Sequence, residues 1–373
     1  MTTGKSRAPL QTVTPNRRLL YLDWFRGLGA LIMLQGHVFH SFLRNDLRQG
    51  NAYVVSQFFG GMPPAIFLFL TGTTFAFLMY SQERKGVTPG RRWFTSLRRS
   101  GYLFFLAFAF RLQLWAFSWG KSPFSDVFRV DVLNCMGFSL AMLAVMSLFR
   151  VAERVRLCAI LGFAIACASP LVSQIDWGGT PWLVKSYLAP DHLFFGFFPW
   201  AAYVAFGMSF GSLLRILNDE ERQANLMLWI GLAGLMLALG AHELSNMGIS
   251  LYNKSDFWLD SPLLVLIKLG VILLAVTFAY VWHRQASAQN WSWIRQFGVT
   301  SLLVYWVHIE LVYGRWFGSW KENLTVEQTL VAAVGVIALM LLLSVIRTNF
   351  DRVRAVVLNL ISPQPEPERV SGD

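Results

Sequence analysis

Charged residues are scarce in this chain of 373 residues: Asp, Glu, Lys and Arg make up 14% of it, whereas hydrophobic residues make up 55%. The chain has only three cysteines, Cys135, Cys158 and Cys167, and their spacing suggests neither a metal site nor a disulfide framework. No loop between the apolar runs exceeds about 20 residues, which leaves no room for a soluble domain between them. This composition excludes an ordinary soluble protein and predicts an all-α, polytopic membrane protein.

Apolar runs long enough to span a bilayer recur along the chain and predict a bundle of about ten transmembrane helices. The runs lie at about 19–43, 58–80, 99–118, 130–149, 157–175, 192–217, 226–245, 260–283, 299–319 and 327–346. Residues 19–350 are therefore predicted to form one transmembrane domain. A disordered, basic tail at 1–18 and a C-terminal tail at 351–373 are predicted to flank it.

Acidic residues are the scarcer charge, with 21 Asp and Glu against 32 Lys and Arg, for a formal net charge of +11. About 21 of the basic residues fall on the side of the two chain termini and about 8 on the other side. Both termini are therefore predicted to be cytoplasmic, at the inner (plasma) membrane of the cell. The positive charge requires no nucleic-acid partner, because this orientation signal and the attraction of anionic membrane lipids account for it.

The first apolar run carries three ionisable side chains on one face. Arg26 and His37 are eleven positions apart, which at roughly 100° per residue gives them nearly the same azimuth, about 16 Å apart along the axis. His40 falls within roughly 40° of the same line. A single such residue would more simply snorkel or bond to a neighbouring helix, but three on one face favour a functional site.

Polar residues near the outer ends of other spans are candidates to orient His37 or to hold a substrate. Asp131 and Asn134 open the fourth span, and Asp191 and His192 open the sixth. Aspartate is also a common helix cap, which is an equally good interpretation of Asp131 and the better one of Asp191.

The ninth span contains Tyr305, His308 and Glu310. Tyr305 and His308 are three residues apart and share a face, which is predicted to point to the bundle interior. Glu310 points about 160° away from His308 on a regular helix, so it serves another pocket or only a polar contact.

The connection between the second and third spans is the most basic stretch of the chain. It contains Arg84, Lys85, Arg91, Arg92, Arg98 and Arg99. Forked guanidinium groups clamp phosphate oxygens well, so this stretch suits a phosphate-rich ligand. It equally suits an anchor on anionic lipid, which charge alone favours.

These motifs resemble the transmembrane acyltransferase superfamily, which includes the acyltransferase-three family and the heparan-α-glucosaminide N-acetyltransferase-like proteins. Leu22-Asp-Trp-Phe-Arg-Gly-Leu leading to His37 is similar to the arginine, ten residues, histidine pattern of the first family, and the arginine pairs at 91–92 and 98–99 resemble its basic motif. The segments that resemble the second family are Pro63–Gly72, Asp131–Leu140, Phe198–Gly211 and Ser301–His308.

The resemblance implies an enzyme that transfers an acyl group, usually acetyl, from cytosolic acetyl-CoA to a hydroxyl or amine of a sugar or glycan on the outer side, with no metal. A homodimer is also implied. The implied donor-binding residues are Arg26, Arg91, Arg92, Arg98 and Arg99; the catalytic ones are His37, His40 and Asp131; the substrate-binding ones are Asn134, Tyr305, His308 and Glu310.

His37 is the favoured base because its spacing from Arg26 matches the pattern, and it suits either a general base or a nucleophile that accepts the acyl group first. The alternative function is a multi-pass transporter or flippase of a polar or glycolipid substrate, in which the polar stripe is a pathway. That alternative predicts paired broken helices in two related halves, and the sequence shows no such repeat.

Overall fold

Thirteen α-helices and four short 3₁₀-helices form the regular structure of the computed structural model, which describes residues 19–217, 219–248, 251–285, 291–351 and 354. Within these ranges there is no β-strand, only an isolated bridge between Leu43 and Leu324. The predicted all-α fold is therefore confirmed. The predicted tail at 1–18 lies outside the described residues, as does the tail at 351–373 apart from residues 351 and 354.

The helices are numbered in chain order. They are α1 (Leu20–Phe42), α2 (Asn51–Gly60), α3 (Pro63–Arg84), α4 (Pro89–Phe117), α5 (Val132–Leu143), α6 (Val151–Ser173), α7 (Trp182–Leu188), α8 (Phe197–Ile216), α9 (Glu220–Asn246), α10 (Pro262–Gln285), α11 (Trp293–Val299), α12 (Ser301–Tyr313) and α13 (Val326–Thr348).

Seven described helical segments are long and apolar enough to cross a membrane, counting α2 and α3 as one. The segment Val132–Leu148 and α12 are apolar but shorter. The chain is thus a multi-pass, all-α membrane protein. Each of the ten predicted apolar runs coincides with a helix or a broken pair of helices, although the number that cross the bilayer stays a prediction.

The start of α1 and the end of α13 lie at the same end of the bundle, which we call the N-terminal face. There Gln296 of α11 donates a 2.9 Å hydrogen bond to the carbonyl oxygen of Ser344 in α13, and Gly298 of α11 packs on the carbonyl of Asp23 in α1. The bridge between Leu43 and Leu324 lies at the opposite end, the far face. The assignment of the N-terminal face to the cytoplasm stays a prediction.

Helix α1 is the central element of the part of the bundle that carries the site. It contacts α2, α3, α10, α11, α12 and α13. Two glycines let α1 and α11 touch through their backbones: a Cβ added to Gly27 would lie 1.7 Å from the carbonyl oxygen of Ile294, and one added to Gly298 would lie 1.7 Å from that of Asp23. Any side chain at either position would therefore force the two helices apart.

The structure corrects two predicted helix starts. Most of the basic stretch is helical, because α4 begins at Pro89 and continues for 29 residues, so that Arg91, Arg92, Arg98 and Arg99 all lie on its first turns. Arg84 is the last residue of α3, and only Lys85 of the six lies between the two helices. The sixth predicted span does not open at Asp191, because α8 begins at Phe197. Asp191 instead accepts a hydrogen bond from the backbone of Leu193 in the preceding loop, 2.7 Å away.

Candidate active site

A cavity of about 780 Å³, here called the central cavity, lies between α1, α3, α4, α5 and α12. Ligand sites typically have volumes of about 300–1,000 Å³. Most of its wall is apolar, and its polar lining consists of Arg26, Thr71, Thr74, Thr95, Arg98, Arg99, Tyr102, Ser301 and Tyr305. An elongated ligand with an apolar part and an anionic part would fit such a wall.

Three of the five arginines predicted to bind a donor line the central cavity. Arg26 reaches it from α1, and Arg98 and Arg99 reach it from α4. The guanidinium of Arg26 also lies 3.4 Å from the carboxylate of Asp23, one helical turn earlier, and that of Arg99 lies 5.7 Å from the ring centre of Tyr102. The cavity is therefore positively charged toward the N-terminal face.

The other two predicted arginines do not line the cavity. Arg91 is exposed on the first turn of α4. Arg92 is buried and lies 3.5 Å from the carboxylate of Glu83, which also binds the fully buried Arg154 at 2.9 Å. These three charges join α3, α4 and α6, so Arg92 occupies an interhelical ion-pair network rather than a phosphate pocket.

Tyr305 marks the inner end of the central cavity and connects it to a pair of histidines. Its ring meets that of His308 edge-on, with 5.9 Å between centroids. The Nε2 atom of His308 lies 2.9 Å from Nδ1 of His37, within hydrogen-bond distance. The sequence placed these side chains in the bundle interior, and the structure brings all three together.

His40 occupies a different position from His37. It is exposed toward the far face, and its Nδ1 atom lies 3.1 Å from the hydroxyl of Tyr313. The Tyr313 ring lies 5.4 Å from the ring of His37. Tyr313 thus connects His40 to the pair formed by His37 and His308, a role that was not predicted from the sequence.

Asp131 is both a helix cap and an ion-pair partner. Its side chain accepts hydrogen bonds from the backbone of Leu133 and Asn134 at the start of α5, and its carboxylate lies 3.2 Å from Arg111 of α4. The Asn134 side chain donates to the hydroxyl of Tyr187 at 3.1 Å. Asp131 does not contact the histidine pair, but Val132 and Leu133, which follow it, line the central cavity.

Glu310 lies apart from the histidine pair, as the helix geometry predicted. Its carboxylate accepts a 3.1 Å hydrogen bond from the indole of Trp316. Within the described residues, no group of three or more His, Cys, Asp or Glu side chains is arranged to hold a metal ion.

Arg111 was the most detectable of the missed partners. It lies inside the predicted third span, where a buried charge demands a counter-charge, and Asp131 lies at the outer end of the predicted fourth span. The contact between Arg92 and Glu83 had no comparable signal, because the predicted second span ended before Glu83.

Comparison with known families shows what class of protein carries this site. Residues 18–249 match the model of a family described as "Heparan-alpha-glucosaminide N-acetyltransferase, catalytic". The match covers more than half of the chain, and the protein belongs to this family, which supports a membrane acetyltransferase type of function. The predicted resemblance is thus confirmed. No curated protein matches the chain.

The matched segment contains Arg26, His37 and Asp131, whereas α12 with Tyr305 and His308 lies beyond it. The site is therefore composed of a family-matched part and a part outside the match.

Proposed function

We propose that the protein transfers an acyl group such as acetyl from acyl-CoA on the cytoplasmic side to a hydroxyl or amine of a sugar or glycan on the outer side. The proposal places the protein in the plasma membrane and needs no metal. The observation that carries it is the contact of Tyr305, which lines the central cavity, with His308, which in turn lies within hydrogen-bond distance of His37.

The chemistry of the central cavity supports the donor assignment. Acyl-CoA joins several phosphate groups to a long arm that ends in a thioester. Arg26, Arg98 and Arg99 supply forked donors for the phosphates at one end. The apolar wall that includes Leu70, Met136 and other side chains suits the arm.

The acyl carbonyl is proposed to reach Tyr305 at the inner end of the cavity. The Tyr305 hydroxyl makes no hydrogen bond with another described residue, so it is available to donate to the carbonyl oxygen as negative charge develops there. The acceptor is proposed to approach from the far face, where His40 and Tyr313 lie at the outer end of the site.

In the proposed reaction, His37 takes the proton of the acceptor hydroxyl or amine while the acceptor oxygen or nitrogen bonds to the thioester carbonyl carbon. The carbon–sulfur bond then breaks, and the proton passes from His37 to the departing thiolate, which leaves as the free thiol of CoA. A route through acyl-histidine uses the same residue as the nucleophile. A burst of free thiol in the absence of acceptor would identify that second route.

The first test is calorimetric binding of CoA and acetyl-CoA to the purified protein in detergent. We expect micromolar binding that weakens at least about tenfold in Arg98→Ala and in Arg99→Ala, because each loses one phosphate ligand. Arg156→Ala is the matched control, because Arg156 is exposed on α6 and does not line the cavity. His37→Ala should bind the donor but release free thiol at least about 100-fold more slowly when glucosamine is supplied as an acceptor probe.

Failure of CoA to bind a folded wild-type protein would overturn the donor assignment. Equal weakening by Arg98→Ala and Arg156→Ala would show that the cavity arginines act only through general surface charge.

A further inference from the structure

The contact between His37 and His308 joins two helices that are far apart in sequence. The two ring planes are nearly parallel, with 12° between them, and Nδ1 of His37 faces Nε2 of His308 at 2.9 Å. Nδ1 of His308 lies 2.7 Å from the carbonyl oxygen of Val304, one turn earlier on α12. The Val304 carbonyl, His308 and His37 thus form a hydrogen-bond chain, in which the direction of the first bond determines the direction of the second.

The positions of the protons in this chain follow from the backbone carbonyl. A carbonyl oxygen only accepts, so Nδ1 of His308 carries its proton. His308 has no exposed surface, and a second proton on its ring would bury a charge. Nε2 of His308 therefore accepts, and Nδ1 of His37 is the atom that donates to it. The hydrogen bond of one ring nitrogen fixes the state of the other.

The remaining nitrogen of His37 is the one left for chemistry. Nε2 of His37 makes no hydrogen bond with the described residues and is not among their fully buried, unpartnered polar atoms. Because His37 itself is only partly buried, Nε2 has contact with solvent-accessible space. It carries a lone pair, since the ring proton is on Nδ1.

We infer that His308 is a positioning residue that holds His37 as its Nδ1–H tautomer and thereby makes Nε2 of His37 the atom that takes the acceptor proton. The role of Nε2 rests on the proposed acyl transfer, whereas the tautomer does not depend on it.

The hydrogen-bond chain also stays intact when His37 becomes positively charged during the proposed reaction. When Nε2 of His37 takes a proton, the ring becomes an imidazolium, and its Nδ1–H continues to donate to the neutral His308. Among the described residues no carboxylate contacts His37; Asp131 binds Arg111, and Glu310 binds Trp316. The group that orients His37 is therefore the neutral imidazole of His308, which is itself hydrogen-bonded to the carbonyl oxygen of Val304. His37 is uncharged before the reaction.

The test is nitrogen-15 NMR of the full-length protein labelled on histidine, because the two ring nitrogens of each tautomer have distinct shifts. The His37 signals are assigned by their loss in His37→Asn. We expect the wild type to show a protonated Nδ1 and an unprotonated Nε2 at His37. In His308→Leu we expect a mixture of tautomers, because the acceptor for Nδ1–H is gone.

Activity supplies the second readout. With acetyl-CoA and glucosamine as probes, His308→Leu should lower kcat about 10- to 1,000-fold. This is less than the roughly 10⁴-fold loss for a catalytic histidine held in the wrong tautomer, because the variant leaves a mixture of tautomers. CoA affinity should stay within about twofold, because His308 does not line the central cavity. His308→Gln should recover at least about tenfold of the loss in kcat and restore the tautomer, because its side-chain oxygen can accept the Nδ1–H bond.

The control is His242→Gln, an exposed residue on α9, which should alter neither readout. A wild-type His37 that carries its proton on Nε2 would overturn the inference, and so would a His308→Leu variant with an unchanged tautomer and kcat. A wild type that fails to transfer acyl groups while showing the expected tautomer would instead remove the proposed function and leave the tautomer standing.

Discussion

The guanidinium of Arg111 lies 3.2 Å from the carboxylate of Asp131, with side-chain exposures of 16% and 7%. This pair ties α4 to the start of α5, next to the residues that line the inner end of the central cavity. It gives Asp131 a structural role that is independent of the histidines.

Removal of Arg111 alone is expected to be strongly destabilising. Arg111→Ala leaves a buried carboxylate without its counter-charge, which costs about 3–5 kcal/mol in typical buried pairs. The double variant Arg111→Met, Asp131→Asn should recover most of this loss, because asparagine keeps the cap of α5 without the charge. Thermal unfolding of the detergent-solubilised protein measures both.

The exposed pair of Arg44 and Asp46 provides the control for that experiment. Arg44→Ala removes a similar short contact, 2.6 Å, at the surface, and its unfolding temperature should not change measurably. Equal unfolding temperatures for the single and double variants at positions 111 and 131 would contradict a charge-based coupling.

Arg92 and Arg98, six positions apart on α4, should give opposite results. Arg92→Ala breaks the buried network with Glu83 and should lower the unfolding temperature by several degrees while leaving CoA affinity within about twofold. Arg98→Ala should weaken CoA binding without loss of stability. Calorimetric CoA binding and thermal unfolding are measured for both variants. A larger loss of CoA affinity in Arg92→Ala than in Arg98→Ala would show that Arg92 binds the donor.

His40 is expected to act on the acceptor and not on the chemical step. With acetyl-CoA saturating and glucosamine varied, His37→Ala should lose about 100- to 10,000-fold in kcat. His40→Ala should raise the KM for the acceptor and change kcat by less than about fivefold, since it contacts Tyr313 but not His308. A larger kcat loss for His40→Ala than for His37→Ala would reverse the two assignments.

The contact between α1 and α11 should tolerate no side chain at Gly27. In Gly27→Ala the new methyl group would lie 1.7 Å from the carbonyl oxygen of Ile294, so we expect loss of folded protein or a large fall in unfolding temperature. Gly335→Ala on α13 is the matched control, because a Cβ there meets nothing within 4 Å. Size-exclusion profiles and unfolding temperatures of the two variants should differ clearly.

The relative directions of two side chains were predictable where both residues belong to the same helix. Helical spacing placed Tyr305 with His308 and Glu310 away from His308, and the structure agrees with both relations. These relations depend only on the local 3.6-residue period, which the sequence contains directly.

The separate roles of the arginines of α4 were not predicted from the sequence. The charge of the segment favours a connection, which gives its arginines no common or separate faces, whereas the structure places them on a helix. As a helix it places Arg92 about 120° from Arg98 but only about 20° from Arg99. The helical period therefore separates Arg92 from one cavity arginine and not from the other, and the contact of Arg92 with Glu83 depends on how α3 and α4 pack.

The contact of His37 with His308 could not be predicted from one sequence. The two residues are 271 positions apart, and their meeting depends on how α1 and α12 pack, which no local pattern determines. The same holds for the pairing of Arg111 with Asp131, where the sequence showed only that a charge inside a predicted span needs a partner.

The glycine contact between α1 and α11 has a consequence for the spacing of the two imidazoles. Helix α11 ends at Val299 and α12 begins at Ser301, with only Thr300 between them, so the backbone clamp at Gly27 and Gly298 also fixes how far His308 rises along α1. A slide of α11 by one residue would move His308 by about 1.5 Å, enough to break its 2.9 Å bond to His37. The distance between His37 and His308 is thus set by the backbone contact of Gly27 and Gly298, nearer the N-terminal face. Neither helix has a side chain at that contact that could move to accommodate a shift.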